Sequence, residues 1–251
     1  MEWKRTKYSA KTQRMLLYAE KLAVKSSDFL ISDSIGIQNY LQEKYKKNST
    51  YIAYGATIFE NPDEDILQKY NLEKYNFNMI LARLEPENSI EMILDGVVLS
   101  NDKTPMLVIG DHKKKFGEYL KEKFKNYPNI IFHGALYNLE HLNNLRCFSN
   151  LYFHGHTVGG TNPSLLEAMA SQAMILAHNN DFNKSILKEN AFYFSSYEEV
   201  KDLILRIKKI DNLQIIQNNL EAIRKEFNWE KINGEYLQLF EECFSKSEKR
   251  K

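Results

Sequence analysis

The stretch that decides the fold is residues 151–170, which read LYFHGHTVGGTNPSLLEAMA. The apolar run at residues 151–153 predicts a short buried strand, and residues 163–170 predict a helix. Pro163 suits the first turn of that helix, where its missing N–H is not needed. Between strand and helix lie three of the ten glycines of the chain, Gly155, Gly159 and Gly160. A strand that leads through a glycine-rich loop into a helix is typical of an α/β protein.

The same alternation of strand and helix extends outward from this stretch in both directions. Amphipathic helical patterns separate apolar runs at residues 78–82, 106–109, 130–132, 151–153, 174–177 and 192–194. These runs are apolar throughout rather than at every second residue, which favours a parallel sheet covered by helices on both faces. The sequence therefore predicts an α/β fold with a doubly wound parallel sheet. Three helices, at residues 200–207, 213–227 and 229–244, are expected to follow the sheet.

The first 54 residues have a shorter pattern of their own. Residues 10–28 predict an amphipathic helix and residues 29–31 a short strand. Ser34 is a plausible N-cap for a second helix, and residues 50–54 predict another strand. Gly55 and Pro62 interrupt the pattern before the main sheet begins.

Composition excludes several classes of partner. Lys and Arg total 34 against 33 Asp and Glu, so a net charge of +1 gives no general attraction to nucleic acid. The two cysteines, Cys147 and Cys243, form no disulfide or metal-binding pattern, which suits a reducing cytoplasm. Neither a signal peptide nor a membrane-spanning run is visible. The basic residues in 246–251 leave room for a peripheral contact with the inner face of the membrane.

The glycine-rich loop has the chemistry of a diphosphate site. Ligands of open α/β sheets bind at the carboxyl ends of the strands, where this loop is expected to lie. Glycines allow a ligand to approach the backbone, and the N-terminus of the following helix attracts phosphate. Glu167 lies about one helical turn beyond Pro163 and could accept hydrogen bonds from a ribose. On chemistry alone, a solvated surface glutamate is an equally good interpretation.

Residues 155–170 resemble the signature of the family 4 glycosyltransferases, which are retaining enzymes of the GT-B fold. The wording HGHTVGGTNPSLLEAMA is similar to their rhamnosyltransferase branch, which acts in capsule and surface-polysaccharide assembly. The resemblance implies a Rossmann-like C-terminal domain in which Glu167 binds the ribose of the donor. It also implies that the loop holds the donor sugar and diphosphate, through Gly159, Gly160, Thr161, Asn162, Ser164 and Leu165. The family's E-x₇-E pair would place its first carboxylate at position 159, which is glycine here.

A second match lies at residues 80–88, ILARLEPEN, which resemble the family's GRL-x-P-E-K segment. The resemblance gives Arg83 the role of clamping the diphosphate, for which a guanidinium is well suited. Asn88 replaces the family's lysine, and its amide could still donate to a phosphate. Residues 132–136, FHGAL, match the turn that holds the base, near Gly134 and Leu136.

Three histidines lie close to these motifs. His133, His154 and His156 have no acid or cysteine at ligand spacing, so no metal site is expected. His156 is the one histidine expected to contact the donor.

The resemblance extends to segments near the N-terminus, at residues 2–8, 23–34 and 54–56. It implies that residues 1–54 are a remnant of the acceptor domain, with most of that domain absent. Residues 55–227 would form the nucleotide-sugar-binding domain, and residues 228–251 a C-terminal crossing helix with a basic tail.

The function implied is transfer of a sugar to a polysaccharide or lipid-linked acceptor. The expected donor is dTDP-rhamnose or another dTDP- or UDP-linked sugar, used with retention and without a metal or other cofactor. The alternative is a truncated, non-catalytic half that binds the donor and needs a dimer partner or a separate first domain. An NAD-dependent oxidoreductase is a weaker alternative, because no G-x-G-x-x-G follows an early strand.

Overall fold

The computed structural model describes residues 2–5 and 8–248. Two short strands, β1 (Ile31–Ser32) and β2 (Thr50–Tyr51), pair in parallel. The main sheet contains β3 (Asn78–Leu81), β4 (Met106–Ile109), β5 (Ile130–Gly134), β6 (Leu151–His154), β7 (Ile175–His178) and β8 (Phe192–Phe194). Its order is β5-β4-β3-β6-β7-β8, and all the pairings are parallel. The prediction of a doubly wound parallel sheet is confirmed.

Ten α-helices are present among the described residues: α1 (Ala10–Ser26), α2 (Ile35–Tyr45), α3 (Ile90–Ser100), α4 (Lys115–Lys123), α5 (Leu139–Phe148), α6 (Pro163–Ala170), α7 (Asp181–Leu187), α8 (Tyr197–Arg206), α9 (Leu213–Glu226) and α10 (Trp229–Glu248). Short 3₁₀ helices occupy Glu2–Lys4, Glu64–Tyr70, Pro86–Asn88 and Lys209–Asn212. None of the described helices is both long and apolar enough to cross a membrane. Residues 249–251 of the basic tail lie outside the described residues, as does Lys7.

Both faces of the sheet are buried. Successive residues of each strand point in opposite directions, so each strand contributes side chains to two core clusters. In β4, Leu107 and Ile109 belong to one core cluster, while Met106 and Val108 belong to the other. All four are buried. This accounts for the continuous apolar character of the strands in the sequence.

The predicted bounds of the elements near the N-terminus need correction. The first helix ends at Ser26, because Ser27 is already extended and caps the helix end. The strand expected at 50–54 is only two residues long, because β1 offers just two residues to pair with it. The predicted cap is present: Ser34 Oγ accepts a hydrogen bond from the backbone N–H of Ile37 at 3.2 Å.

The C-terminal helix packs back onto the segment that joins the two sheets. The ring of Trp229 lies against Gly55, where an added Cβ would come within 2.7 Å of the indole. Just beside it, the Ala56 N–H donates to the Phe227 carbonyl at 2.8 Å. Ile232 of α10 is 1% exposed and belongs to the same core cluster as Ile52. Gly55 is therefore required for the close approach of α10.

Apolar side chains remain exposed on two helices. Met15 and Tyr18 of α1 are each 63% exposed, and Phe240 and Phe244 of α10 are 59% and 65% exposed. The sequence analysis expected a dimer partner or a separate first domain only as an alternative. These exposed faces are where such a partner could bind, and that expectation stays a prediction.

Gly96 and Gly234 provide a matched test of how closely α3 packs against α8. A Cβ at Gly96 of α3 would come within 2.6 Å of Val200 Cβ and 2.8 Å of the Tyr197 carbonyl oxygen, both on α8. Gly96→Ala is expected to lower the free energy of unfolding by about 1–3 kcal/mol, because overpacking outweighs the gain in helix propensity. The control is Gly234→Ala on α10, where an added Cβ would meet no atom within 4 Å apart from the nearby backbone of its own helix. It should raise the free energy of unfolding by about 0.5–1 kcal/mol. Denaturant unfolding measures both, and equal effects would contradict the close contact of α3 with α8.

Candidate functional site

A cavity of about 920 Å³ lies at the carboxyl edge of the main sheet. Its floor is formed by the segments that follow β3, β4, β5 and β6. The strand order reverses between β3 and β6, so the chain leaves these two strands toward opposite faces of the sheet. Such a switch point opens a crevice in doubly wound folds, and ligands bind there.

Most of the residues that the sequence suggested line this cavity together. They are Arg83, Leu136, His156, Gly159, Gly160, Thr161, Asn162, Ser164 and Glu167. Arg83 and the glycine loop are far apart in sequence, and the pairing of β3 with β6 brings them to the same edge. The helix start is capped as expected: Asn162 Oδ1 accepts from the Ser164 N–H at 3.0 Å.

Three suggested residues do not line the cavity. Asn88 is 3% exposed, and its side-chain N–H₂ donates to the Arg83 carbonyl at 2.7 Å. It therefore braces the turn that carries Arg83, contrary to the expectation that it would donate to a phosphate. Leu165 is 1% exposed because it faces the core from α6. Gly134 ends β5, where its carbonyl accepts from the Gly110 N–H at 2.9 Å.

Glu167 is held by a buried arginine that the sequence analysis missed. Arg146 of α5 is fully buried, and its Nη2 donates to Glu167 Oε2 at 2.6 Å. Its Nη1 donates to Asn143 Oδ1 at 3.0 Å, which fixes the plane of the guanidinium. The Glu167 side chain remains 42% exposed, so its carboxylate is oriented and still accessible from the cavity. The one sequence signal was an arginine inside the apolar run LRCF at residues 145–148.

The N-terminal segment contributes a second wall, to which the sequence analysis had assigned no site residue. Arg5, Asp33, Ile37 and Tyr54 all line the cavity. Arg5 Nη1 lies 3.5 Å from Glu87 Oε1, an ion pair between this segment and the turn after β3. The Thr161 hydroxyl donates to the Asp33 carbonyl, which connects the segment to the glycine loop.

Two of the three histidines lie beside the site, where His154 is buried and His156 is half-buried. The rings of His154 and His156 stack with centroids 4.3 Å apart. Burial, together with the charges of Arg83 and Arg5, lowers the pKa of His156 to about 4, so this ring is neutral at pH 7. His133 lies away from them, against Tyr70. Within residues 2–5 and 8–248, no group of three or more His, Cys, Asp or Glu side chains could hold a metal ion.

Two family models match the chain. Residues 62–227, which include the whole main sheet, match the family described as glycosyl transferases group 1. The chain belongs to this family. Residues 1–57, which provide the second wall of the cavity, match a domain of unknown function, DUF1972.

The chain is also similar to individual proteins. An uncharacterized glycosyltransferase of Methanocaldococcus jannaschii is 28% identical over 243 residues, which cover 88% of this chain and 60% of the relative. Sucrose-phosphate synthase of Thermosynechococcus elongatus superimposes with a TM-score of 0.74 at 18% identity, over 94% of this chain and 64% of the synthase. HepE of Anabaena, solved with UDP and glucose, gives 0.79 at 16% identity, over 93% of this chain and 68% of HepE. The two solved structures share the fold, and the chain spans about two thirds of their length.

The ion pair between Arg146 and Glu167 gives a testable expectation. If Arg146 acts by orienting Glu167, Arg146→Met should weaken binding of UDP and dTDP by about 1–3 kcal/mol, as for other lost charge-assisted hydrogen bonds. The same substitution in a Glu167→Gln background should then have little further effect on affinity. Calorimetry on the four proteins measures this coupling. Additive losses would contradict it, and the exposed Arg224→Met serves as the control.

Proposed function

We propose that this glycosyl transferase moves a sugar from a nucleotide-sugar donor to a hydroxyl group of a polysaccharide or lipid-linked acceptor. The observation that carries the proposal is the cavity at the switch point, where Arg83, the start of α6 and the Glu167–Arg146 pair face one space. Its volume of about 920 Å³ suits a nucleotide-sugar, since ligand sites commonly enclose roughly 300–1,000 Å³.

Each part of the donor has a matching group in this cavity. Arg83 and the N-terminal end of α6 are suited to the diphosphate, the first by its fixed positive charge and the second by its helix dipole. Glu167 accepts hydrogen bonds from the ribose, in the orientation that Arg146 gives it. Leu136 and its neighbours at the end of β5 form the part of the cavity proposed for the base.

The proposed reaction proceeds with retention of configuration. The bond between the anomeric carbon and the diphosphate oxygen breaks, and the acceptor hydroxyl forms a new bond to that carbon from the same face. A phosphate oxygen takes the hydroxyl proton as the diphosphate leaves. The protein's part is to orient the reactants and to stabilise negative charge on the leaving diphosphate. Arg83 and the helix dipole supply that charge stabilisation without a metal ion.

The donor proposed is dTDP-rhamnose, and the pathway is the assembly of capsule or another surface polysaccharide. This finer proposal rests on the resemblance of residues 155–170 to rhamnosyltransferases. A UDP-linked sugar is the second candidate, favoured by the structure of HepE, which has a similar fold and was solved with UDP-glucose. For either donor we propose a cytoplasmic site of action, at the inner face of the membrane.

Nucleotide binding is the direct test. We expect dTDP or UDP to bind more tightly than NAD, and to bind equally well in EDTA, because the proposed clamp is made of protein cations. Arg83→Ala and Glu167→Ala should each weaken binding by about 1–3 kcal/mol, while Arg206→Ala on the exposed end of α8 should have no effect. Titration calorimetry measures all of these affinities. Unchanged affinity in both site variants would remove the site assignment, and loss of binding in EDTA would show that a metal bridges the diphosphate.

Sugar transfer by this chain alone is expected to be slow. The chain spans 60% of the length of its Methanocaldococcus relative, and orientation and exclusion of water lower barriers by several kcal/mol in closed sites. The assay is consumption of dTDP-rhamnose or UDP-glucose with a lipid-linked acceptor, first with this chain and then with a separately expressed N-terminal domain of a relative. Stimulation by the added domain would favour the alternative in which this chain is only the donor-binding half of the enzyme. A rate from the chain alone that matches full-length relatives would overturn that alternative.

A further inference from the structure

One carboxylate in the cavity has no assigned role. Asp33 lies between β1 and the Ser34 cap of α2, and its side chain lines the cavity. Its Oδ1 atom has no exposed surface and no hydrogen-bond partner. Burial raises the pKa of this carboxyl, and the backbone N–H groups of Asp33 and Thr161 offset that shift only in part. An unsatisfied buried carboxylate oxygen costs free energy. A ligand hydroxyl in the cavity would relieve that cost if the Asp33 side chain turned to accept a hydrogen bond from it.

The carboxylate occupies space that only a glycine in the opposite loop leaves open. An added Cβ on Gly160 would lie 2.6 Å from Asp33 Cγ and 2.7 Å from its Oδ2. These separations are far inside van der Waals contact, so any side chain at position 160 would displace Asp33. The N-terminal segment thus presents a negative group directly at the glycine loop, next to the start of α6.

The surrounding charges indicate which part of a donor this group would meet. Arg83 and Lys114 line the same cavity and favour the phosphates. The cavity's other two arginines already have carboxylate partners, Arg5 with Glu87 and Arg146 with Glu167. A carboxylate repels phosphate but accepts hydrogen bonds from hydroxyl groups. Two neutral portions of a nucleotide-sugar carry hydroxyl groups, the ribose and the transferred sugar. The proposed function assigns the ribose to Glu167, which leaves the transferred sugar for Asp33.

We propose that Asp33 accepts a hydrogen bond from a hydroxyl group of the donor sugar and so takes part in sugar selection. The inference rests on the proposed function, because it assumes that a nucleotide-sugar occupies the cavity. It also gives the N-terminal segment a part in donor recognition, in addition to any part in binding the acceptor.

A structural role for Asp33 leads to different expectations. An acid just before a helix stabilises the helix dipole, and Asp33 directly precedes the cap of α2. In that case Asp33→Asn would lower the melting temperature and leave ligand affinities unchanged. If Asp33 instead awaits a ligand, removing its desolvated charge should leave the melting temperature unchanged or raise it.

The test compares each nucleotide-sugar with its own free nucleotide. Calorimetry with UDP-glucose and UDP, and with dTDP-rhamnose and dTDP, gives the affinity ratio that isolates the sugar. Asp33→Asn should weaken binding of the nucleotide-sugar that the chain prefers by about ten- to a hundredfold. It should change the affinity for the free nucleotide by no more than about twofold. Asp33→Glu, which keeps the charge but moves it by one methylene group, should show the same selective loss. The matched control is Asp181→Asn, an exposed acid in the first turn of α7 that does not line the cavity.

The outcomes separate this inference from the proposed function. If the unmodified chain binds neither UDP nor dTDP, the proposed function fails, and this inference fails with it. If the free nucleotides bind but both Asp33 variants keep the original affinity ratio, this inference alone is overturned. An equal loss for nucleotide and nucleotide-sugar would also overturn it, because Asp33 would then shape the site as a whole. A selective loss in the nucleotide-sugar supports it.

Discussion

The parallel pairing of β3 with β6 is the interaction on which the site depends. Three residue pairs make this contact, from Asn78 with Leu151 to Ile80 with Phe153. The pairing sets the turn after β3 beside the glycine loop, although the two are far apart in the sequence. The backbone then joins them directly: both the N–H and the hydroxyl of Thr157 donate to the Glu87 carbonyl, at 3.0 and 2.8 Å. With this register, the carboxyl ends of β3 and β6 open the crevice that contains Arg83 and α6.

Local sequence patterns were sufficient for the sheet and for the side of the cavity that the sheet provides. Continuous apolar runs identified all six strands of the main sheet, because burial on both faces leaves few polar positions within a strand. The positions of Arg83 and the glycine loop at the cavity could be predicted because both lie in short contiguous motifs at strand ends. The same reasoning wrongly placed Asn88 and Leu165 in the cavity lining. A motif gives the positions of side chains along the chain but not the direction in which each side chain points.

Arg146 and Asp33 could not be found in this way, because their significance depends on contacts between distant elements. Arg146 lies on a helix whose neighbours in sequence are core residues, and only the approach of α6 supplies its partner Glu167. Asp33 lies in a short segment between β1 and α2 that has no glycine-rich pattern. The contact between Asp33 and Gly160 joins a residue beside the two-stranded sheet to a loop of the main sheet. This contact arises from the docking of the N-terminal segment onto the main domain. Burial and hydrogen-bond partners in the folded protein distinguish such groups from their neighbours in the sequence.

The contact between Gly55 and Trp229 also means that the N-terminal segment cannot finish packing until α10 has been synthesised. The ribosome produces the N-terminal segment first, yet α10, whose Ile232 belongs to the same core cluster as Ile52, emerges only after all six strands of the main sheet. Until then, that core cluster lacks the residues that α10 contributes. The second wall of the cavity, including Asp33, therefore acquires its full support last. In a nascent chain the main sheet can therefore form before the second wall of the cavity has its full support.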